Sequence, residues 1–384
     1  MTDRSLSAHH QLLVQALRDP RSLCDIGNQD WELLLRLVRR VRLLGFLAVE
    51  LEQAALLDNI PVRVANHLRS GLIQAQKHQQ LARWELNRIL WALGHDHGPI
   101  IVLKGMAYLL AGLPNAAGRG FADLDLLVPA ENLQRIESTL LEKGWQHHAL
   151  SAYDEHYYRA WSHEIPALIH RERETEVDIH HTLTSPIGKL KLETAPFRAA
   201  AIKLPEPDIY ILSPQDMTLH CAVNLFQNNE LADDMRHLLD LHGILQYFSN
   251  DQPLFLDNLI ARANQLGLGR PLFYGLYFCH LLLQAPVPDS LMTRLEQRPG
   301  WLALKVMQVC VPLALLPLHP DQPCRGAKLA RWWLYWRSHW LRMPLHVLLP
   351  HLAYKFYLSV FPGKAAKASP DGVIAKTKSP APEK

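Results

Sequence analysis

Cysteine is scarce and unpatterned in this 384-residue chain: Cys24, Cys221, Cys279, Cys310 and Cys324 each stand alone. An odd number with no C-x-x-C pair argues against a disulfide framework and against a zinc knuckle. A strong charge of either sign is also missing. Lys plus Arg number 40 against 37 acids, a formal net charge of +3. That excess does not mark a nucleic-acid binder, whose footprint is a concentrated basic patch. Long apolar runs are absent too. Leu302–Leu318 is interrupted by Lys305, Gln308 and Pro312 and falls short of a spanning helix. The first twenty residues lack the apolar core of a signal peptide, so a cytoplasmic location is the expectation. What is present is an ordinary globular composition, 48% hydrophobic, on a length that suits two or three domains.

Residues 1–95 read as helical. "DWELLLRLVRRVRLLGFLAVELEQAALL" carries apolar residues at three- and four-residue spacing, with Asp30 placed to cap its first turn. The texture changes at Pro99. "PIIVL" is a short β-branched run, "KGMAYLLAGL" a helix opening at Gly105, "LPNAAGRG" a loop and "FADLDLLV" a strand. "PAENLQRIESTLLEKG" is a helix with proline at its start and glycine past its end. "WQHHAL", "EIPALIH" and "TEVDIHHTL" read as further strands. This order predicts an α+β fold with a small mixed-sheet core over 96–205. A C-terminal helical domain over 206–363 opens with Ser213 as cap and Pro214 in the first turn. Residues 364–384, poor in bulky apolar side chains, are expected to be disordered.

Two carboxylates inside the apolar strand "DLDLLV" need an explanation, because an unpaired buried charge is costly. Residues two apart on a strand share a face, so Asp123 and Asp125 project side by side. They repel unless protonated or bridged by a cation, and close oxygen ligands suit a hard ion, Mg²⁺ first. In "TEVDIHH", Glu176, Asp178 and His180 share one face. If that strand lies beside the first, Asp178 joins the pair, and three carboxylates can hold two divalent ions for an in-line displacement at phosphorus. Upstream, "VLKG" sets Lys104 and Gly105 at a helix N-terminus, a place that favours phosphate.

Taken together, "LKG…R…DLDLLV…VDIHH" resembles the polymerase-β-type nucleotidyltransferase superfamily, and within it the bacterial uncharacterised nucleotidyltransferase family. The likeness covers most of residues 30–250, including the helical lead-in and "LSPQDMTLHCAVNLF…RHLLDLHGIL". It implies a nucleotidyltransferase fold flanked by helices. It also implies Asp123 and Asp125 as metal ligands and Asp178 as the third acid, which helps to activate an acceptor hydroxyl. Gly105 would form the triphosphate-side turn and Lys104 would stand near the phosphates. Arg119 would approach the nucleotide or brace the carboxylates, and His180 would line the site. The implied cofactors are two Mg²⁺ ions, or Mn²⁺ in their place, with an NTP as co-substrate. The acceptor is unknown, a small molecule or protein being favoured over long nucleic acid. The superfamily usually has Gly-Ser or Gly-Gly at the turn, whereas Met106 follows Gly105 here and offers no hydroxyl. That departure supports an alternative: a catalytically inactive nucleotide-binding or scaffold protein.

Two further features carry weaker readings. His163, Glu164, His170, His180 and His181 could suggest zinc, but no H-E-x-x-H spacing occurs, and His180 and His181 fall on opposite faces of a strand. In "KLARWWLYWRSHWLRMPLHVLLP", Leu329, Trp333, Trp336 and Trp340 form one helical stripe flanked by Arg325, Lys328, Arg331 and Arg342. Such a stripe packs on neighbouring helices, the favoured reading, or lies on an anionic membrane surface through 325–363.

Overall fold

The computed structural model describes residues 6–360 apart from 95–96, 174, 206–208 and 323. The tail at 364–384 lies outside the described residues. Seven strands form one mixed sheet: β1 (Ile100–Val102), β2 (Asp123–Leu127), β3 (Trp145–His147), β4 (Leu168–His170), β5 (Glu176–His180), β6 (Ile202–Lys203) and β7 (Ile209–Ile211). Their order is β3-β4-β5-β2-β1-β7-β6, and helices precede, interrupt and follow them. This is the α+β fold expected from the sequence.

The centre of the sheet is apolar for a topological reason. β1, between β2 and β7, is buried at every residue, as a strand covered on both faces must be. β2 runs antiparallel to β1 and parallel to β5. Across that parallel pair Asp123 stands opposite Glu176, Asp125 opposite Asp178 and Leu127 opposite His180. Leu124, Leu126, Val177 and Ile179 point to the other face and are fully buried.

The sheet core is not walled off from its helical flanks. Helix Asn28–Arg40 buries Trp31, Leu34, Leu35, Leu37 and Val38 and turns Glu32, Arg36, Arg39 and Arg40 outward. One continuous apolar core runs from these residues through the sheet to Phe226 and Phe278. Arg36 grips Asp321 with two hydrogen bonds of 2.7 Å, joining the N-terminal helices to the far end of the chain. Asp30 lies inside the first turn of its helix and does not cap it, because the helix opens at Asn28. Ser213 does cap: its hydroxyl accepts from the Asp216 amide at 3.3 Å, with Pro214 next.

Three parts of the chain depart from the sequence expectation. A helix, Ala152–Trp161, intervenes between β3 and β4. β7, the parallel neighbour of β1, falls beyond the boundary set at 205; its three residues are too few for alternation to reveal. The tryptophan stripe packs on neighbouring helices only in part: Trp333 and Trp336 are 36% and 37% exposed and line a groove with Phe226, Tyr274 and Met307. Helix Arg325–Arg342 buries Ala327, Ala330, Leu334 and Ser338, while Leu329 is 65% and Trp340 45% exposed. Small residues meet the neighbouring helices most closely, which leaves the aromatic face partly outward. No helix among the described residues is long and apolar enough to cross a membrane.

The loop before β2 is fixed by a backbone contact. A Cβ built on Gly45 would stand 2.4 Å from the carbonyl oxygen of Gly118, and Gly118 itself has φ +67°. Replacing Gly45 by alanine should therefore force helix and loop apart. The expected loss is about 1–3 kcal/mol, the usual cost of overpacking. A urea midpoint unchanged by G45A would contradict the assigned contact.

Candidate active site

The parallel pairing of β2 with β5 builds the site. Because aligned residues of neighbouring strands share a face, Asp123, Asp125, Glu176, Asp178 and His180 all project to one side. Asp125 is 3% exposed and is held by two partners. The ammonium of Lys104 donates to its Oδ1, and His180 Nε2 lies 2.9 Å from the same oxygen. Burial alone would raise the Asp125 pKa; the Lys104 charge and the His180 hydrogen bond outweigh it and hold the carboxyl far below the usual range. Lys104 moves the other way: burial would lower it, but Asp125 keeps it firmly protonated.

Asp123 and Asp178 have no such partner among the described residues. Asp123 is raised by burial and then by its neighbour Asp125. Asp178 is raised much further, by burial first, then by repulsion from Glu164, Asp125 and Asp123. Asp178 is thus biased toward its protonated form, and positive charge nearby would favour ionising it.

The turn at Lys104 and Gly105 is built by the lysine backbone. The residue with left-handed backbone is Lys104, at φ +49°, an uncommon conformation for a side chain of that size and one that aims its amine at Asp125. Gly105 follows inside helix Lys104–Leu110. A Cβ there would fall 1.8 Å from Arg119 Nη1, so the glycine is required by the guanidinium lying on it. The helix has only seven residues; the positive charge at this corner is chiefly that of Lys104.

Arg119 is committed elsewhere. Its Nε donates to Asp240 Oδ2 at 3.1 Å, and Arg236 Nε stands 3.2 Å from the other oxygen of that fully buried carboxylate. Burial would raise Asp240, but the two arginines more than reverse it. Arg119 thus ties the loop before β2 to helix Met235–Asp251, and it braces Asp123 through its charge.

Asp123 and Asp125 open on a cleft of ≈ 600 Å³ that Lys104, Gly105, Arg119 and Phe121 also line. Asp178, on the adjacent strand, is not part of its lining. The opposite wall comes from outside the sheet. Arg40 and Arg42 belong to the N-terminal helices, while Asn224, Asn228, His237 and Arg342 come from the C-terminal ones. A π-helical turn, Asn224–Asn228, presents two of these, a local distortion common at functional sites. Arg42 is exposed at the cleft, in the turn between two helices. Sequence reasoning missed these residues. The basic run "RRVR" at Arg39–Arg42 was the one available signal, and its amphipathic setting made it look like a solvated face. The cavity is of nucleotide size.

An α+β sheet with paired strands presenting acids to a charged, nucleotide-sized cleft, lined by arginines and by Glu230, Asp233 and Asp234 as well, defines a nucleotidyltransferase-like protein. A family model described as "Uncharacterised nucleotidyltransferase" matches residues 27–284, and the chain belongs to that family. No curated protein and no solved structure matches it significantly. The matched span includes the whole sheet and helices on either side of it.

The raised Asp178 pKa has a stability consequence. The folded state keeps the proton through a pH range in which the unfolded chain, with an ordinary carboxyl, has lost it. Metal-free stability is therefore undiminished below about pH 4 and falls as pH rises through neutrality. Asp178→Asn removes that penalty. It should raise the metal-free Tm by about a few degrees at pH 8 and leave it unchanged at pH 4; an equal effect at both values would refute the shift.

Proposed function

We propose that this cleft transfers a nucleoside monophosphate from an NTP to an acceptor hydroxyl, releasing pyrophosphate. The observation that supports the reading is that Asp123, Asp125 and Asp178 share one face of adjacent strands, with Asp123 and Asp125 opening on a cavity that several arginines help to line. Carboxylate oxygens gathered on one face, with burial and mutual repulsion raising Asp178, suit a hard divalent ion such as Mg²⁺ or Mn²⁺. Asp123 and Asp125 would hold it, with Asp178 completing the set. Such an ion, when bound, neutralises the phosphates and acidifies the acceptor hydroxyl.

The remaining work falls to the chain's own groups. The acceptor oxygen forms a bond to the α-phosphorus as the bond from that phosphorus to the bridging oxygen breaks, and the electron pair leaves with pyrophosphate. Asp178 in its ionised form accepts the acceptor's proton. Lys104 and Arg42 balance charge on the phosphate chain, and the Arg119–Asp240 pair keeps the β2 loop in place. This is catalysis by positioning and electrostatics, as phosphoryl transfer generally requires. The helical flanks shape the acceptor side of the cleft, with a small molecule or a protein as acceptor.

A second reading, an inactive protein that keeps the fold and the nucleotide, draws on two observations. Lys104 and His180 already satisfy Asp125 without a metal, and Met106 supplies no hydroxyl. The two readings part on turnover. With α-labelled NTP, Mg²⁺ and a broad acceptor screen, an enzyme moves label to an acceptor. Asp123→Asn should reduce that transfer by about 10²-fold or more. Nucleotide binding with no transfer to any acceptor would favour the inactive protein.

Arg42 provides an independent check on the nucleotide's position. Charge-assisted hydrogen bonds are worth about 1.5–3 kcal/mol, so Arg42→Ala should weaken NTP binding by roughly tenfold or more. Titration calorimetry measures it, and unaltered affinity would remove Arg42 from the phosphate site.

A further inference from the structure

Next to Asp125 lies a second group of ligand-type side chains that nucleotide transfer does not use. Residues 163–165 pair with the end of β5. The Ile165 amide donates to the Ile179 carbonyl and the His181 amide to that of His163, each at 3.0 Å, with Glu164 opposite His180. The pairing gathers His163, Glu164 and His180 so that one ligand atom from each lies within 4.8 Å of the other two. Glu164 Oε2 stands 3.5 Å from His180 Nδ1 and 3.7 Å from His163 Nε2. Both separations exceed a good hydrogen bond. They lie near the edge, roughly 3.3 Å, of a tetrahedron with metal–ligand bonds of about 2.0–2.1 Å.

The tautomer of His180 sharpens the point. Its Nε2 is 2.9 Å from Asp125 Oδ1, and an ionised carboxylate only accepts, so Nε2 carries the proton. In a neutral imidazole Nδ1 is then a bare lone pair, and it faces the Glu164 carboxylate, another acceptor. The His163 ring stands alongside, its centroid 5.2 Å from that of His180. The Nδ1 lone pair and the Glu164 carboxylate are two acceptors facing each other, and His163 Nε2 can supply a third, a set that a cation among them would satisfy. A histidine that ligates through one nitrogen and donates the other N–H to a carboxylate is a recurring device of metal sites. Two imidazoles with one carboxylate suit zinc and its neighbours in the first transition row, not magnesium.

We propose that His163, Glu164 and His180 form a second cation site, for a zinc-class divalent ion, linked to the carboxylate cleft through the His180–Asp125 hydrogen bond. The competing arrangement is an imidazolium His180 bridging Asp125 and Glu164, which requires no metal.

The test contains no nucleotide, so its outcome is separate from that of the transfer reaction. The full chain is stripped with chelator and returned to excess Mg²⁺ to occupy the carboxylates. It is then titrated with Zn²⁺, and with Co²⁺ as a spectroscopic probe. One Zn²⁺ per chain should remain after dialysis, and Co²⁺ should saturate at one equivalent with a visible d–d band of a nitrogen-ligated, low-coordinate site. His163→Ala and Glu164→Gln, checked for folding by circular dichroism, should each weaken Zn²⁺ binding at least tenfold. Asp123→Asn should leave it unchanged. Failure of the unmodified chain to retain Zn²⁺ or develop the band overturns the proposal, as does retention undiminished in both His163→Ala and Glu164→Gln. If the two variants do not fold, the titration of the unmodified chain decides alone.

Discussion

Register between two strands governs everything chemical in this molecule. β2 and β5 lie parallel with Asp125 level with Asp178, and side chains on a strand alternate with a period of two. A shift of one residue would turn the acids of one strand into the apolar layer and its leucines or isoleucines into the cleft. Leu124, Leu126, Val177 and Ile179, all buried beneath the sheet, make that shift prohibitive. The apolar face therefore enforces the charged one, and the protein tolerates repelling carboxylates because the core would be lost by relieving them.

The repulsion is relieved unevenly. Asp125 takes Lys104 and His180 and stays ionised; Asp178, beside Glu164, keeps a proton. Two acids of the same type thus sit at opposite ends of one field, one anchoring charge and one shifted by it. The arginine nearest them in sequence is spent on architecture. Arg119 holds Asp240 across the boundary between sheet and C-terminal helices. Removing one partner of such a buried pair is costly because the other is left uncompensated. The cleft is consequently shared property: its acids come from the sheet, and its exposed cation, Arg42, from the N-terminal helices. Its polar far wall comes from a distorted helical turn more than a hundred residues downstream.

The half-covered tryptophan face of helix Arg325–Arg342 shows how packing can qualify a reading from periodicity. A helical wheel records which residues share a side. It does not say which side meets a neighbour, and here the alanine side offers the closer approach.

From the sequence alone came the class of the fold, five of the strands in order, and the face shared by Asp123 with Asp125 and by Asp178 with His180. Each rests on local chemistry, on alternation, capping and turn residues, which a chain carries wherever it goes. Tertiary structure alone decided that the two acidic strands are neighbours in register, that Lys104 rather than Gly105 takes the left-handed turn, and that Arg119 belongs to Asp240. It also decided that Glu164 meets His163 and His180. These depend on partners distant in sequence, and the free energy of bringing such partners together is set by the whole core, which no local pattern encodes.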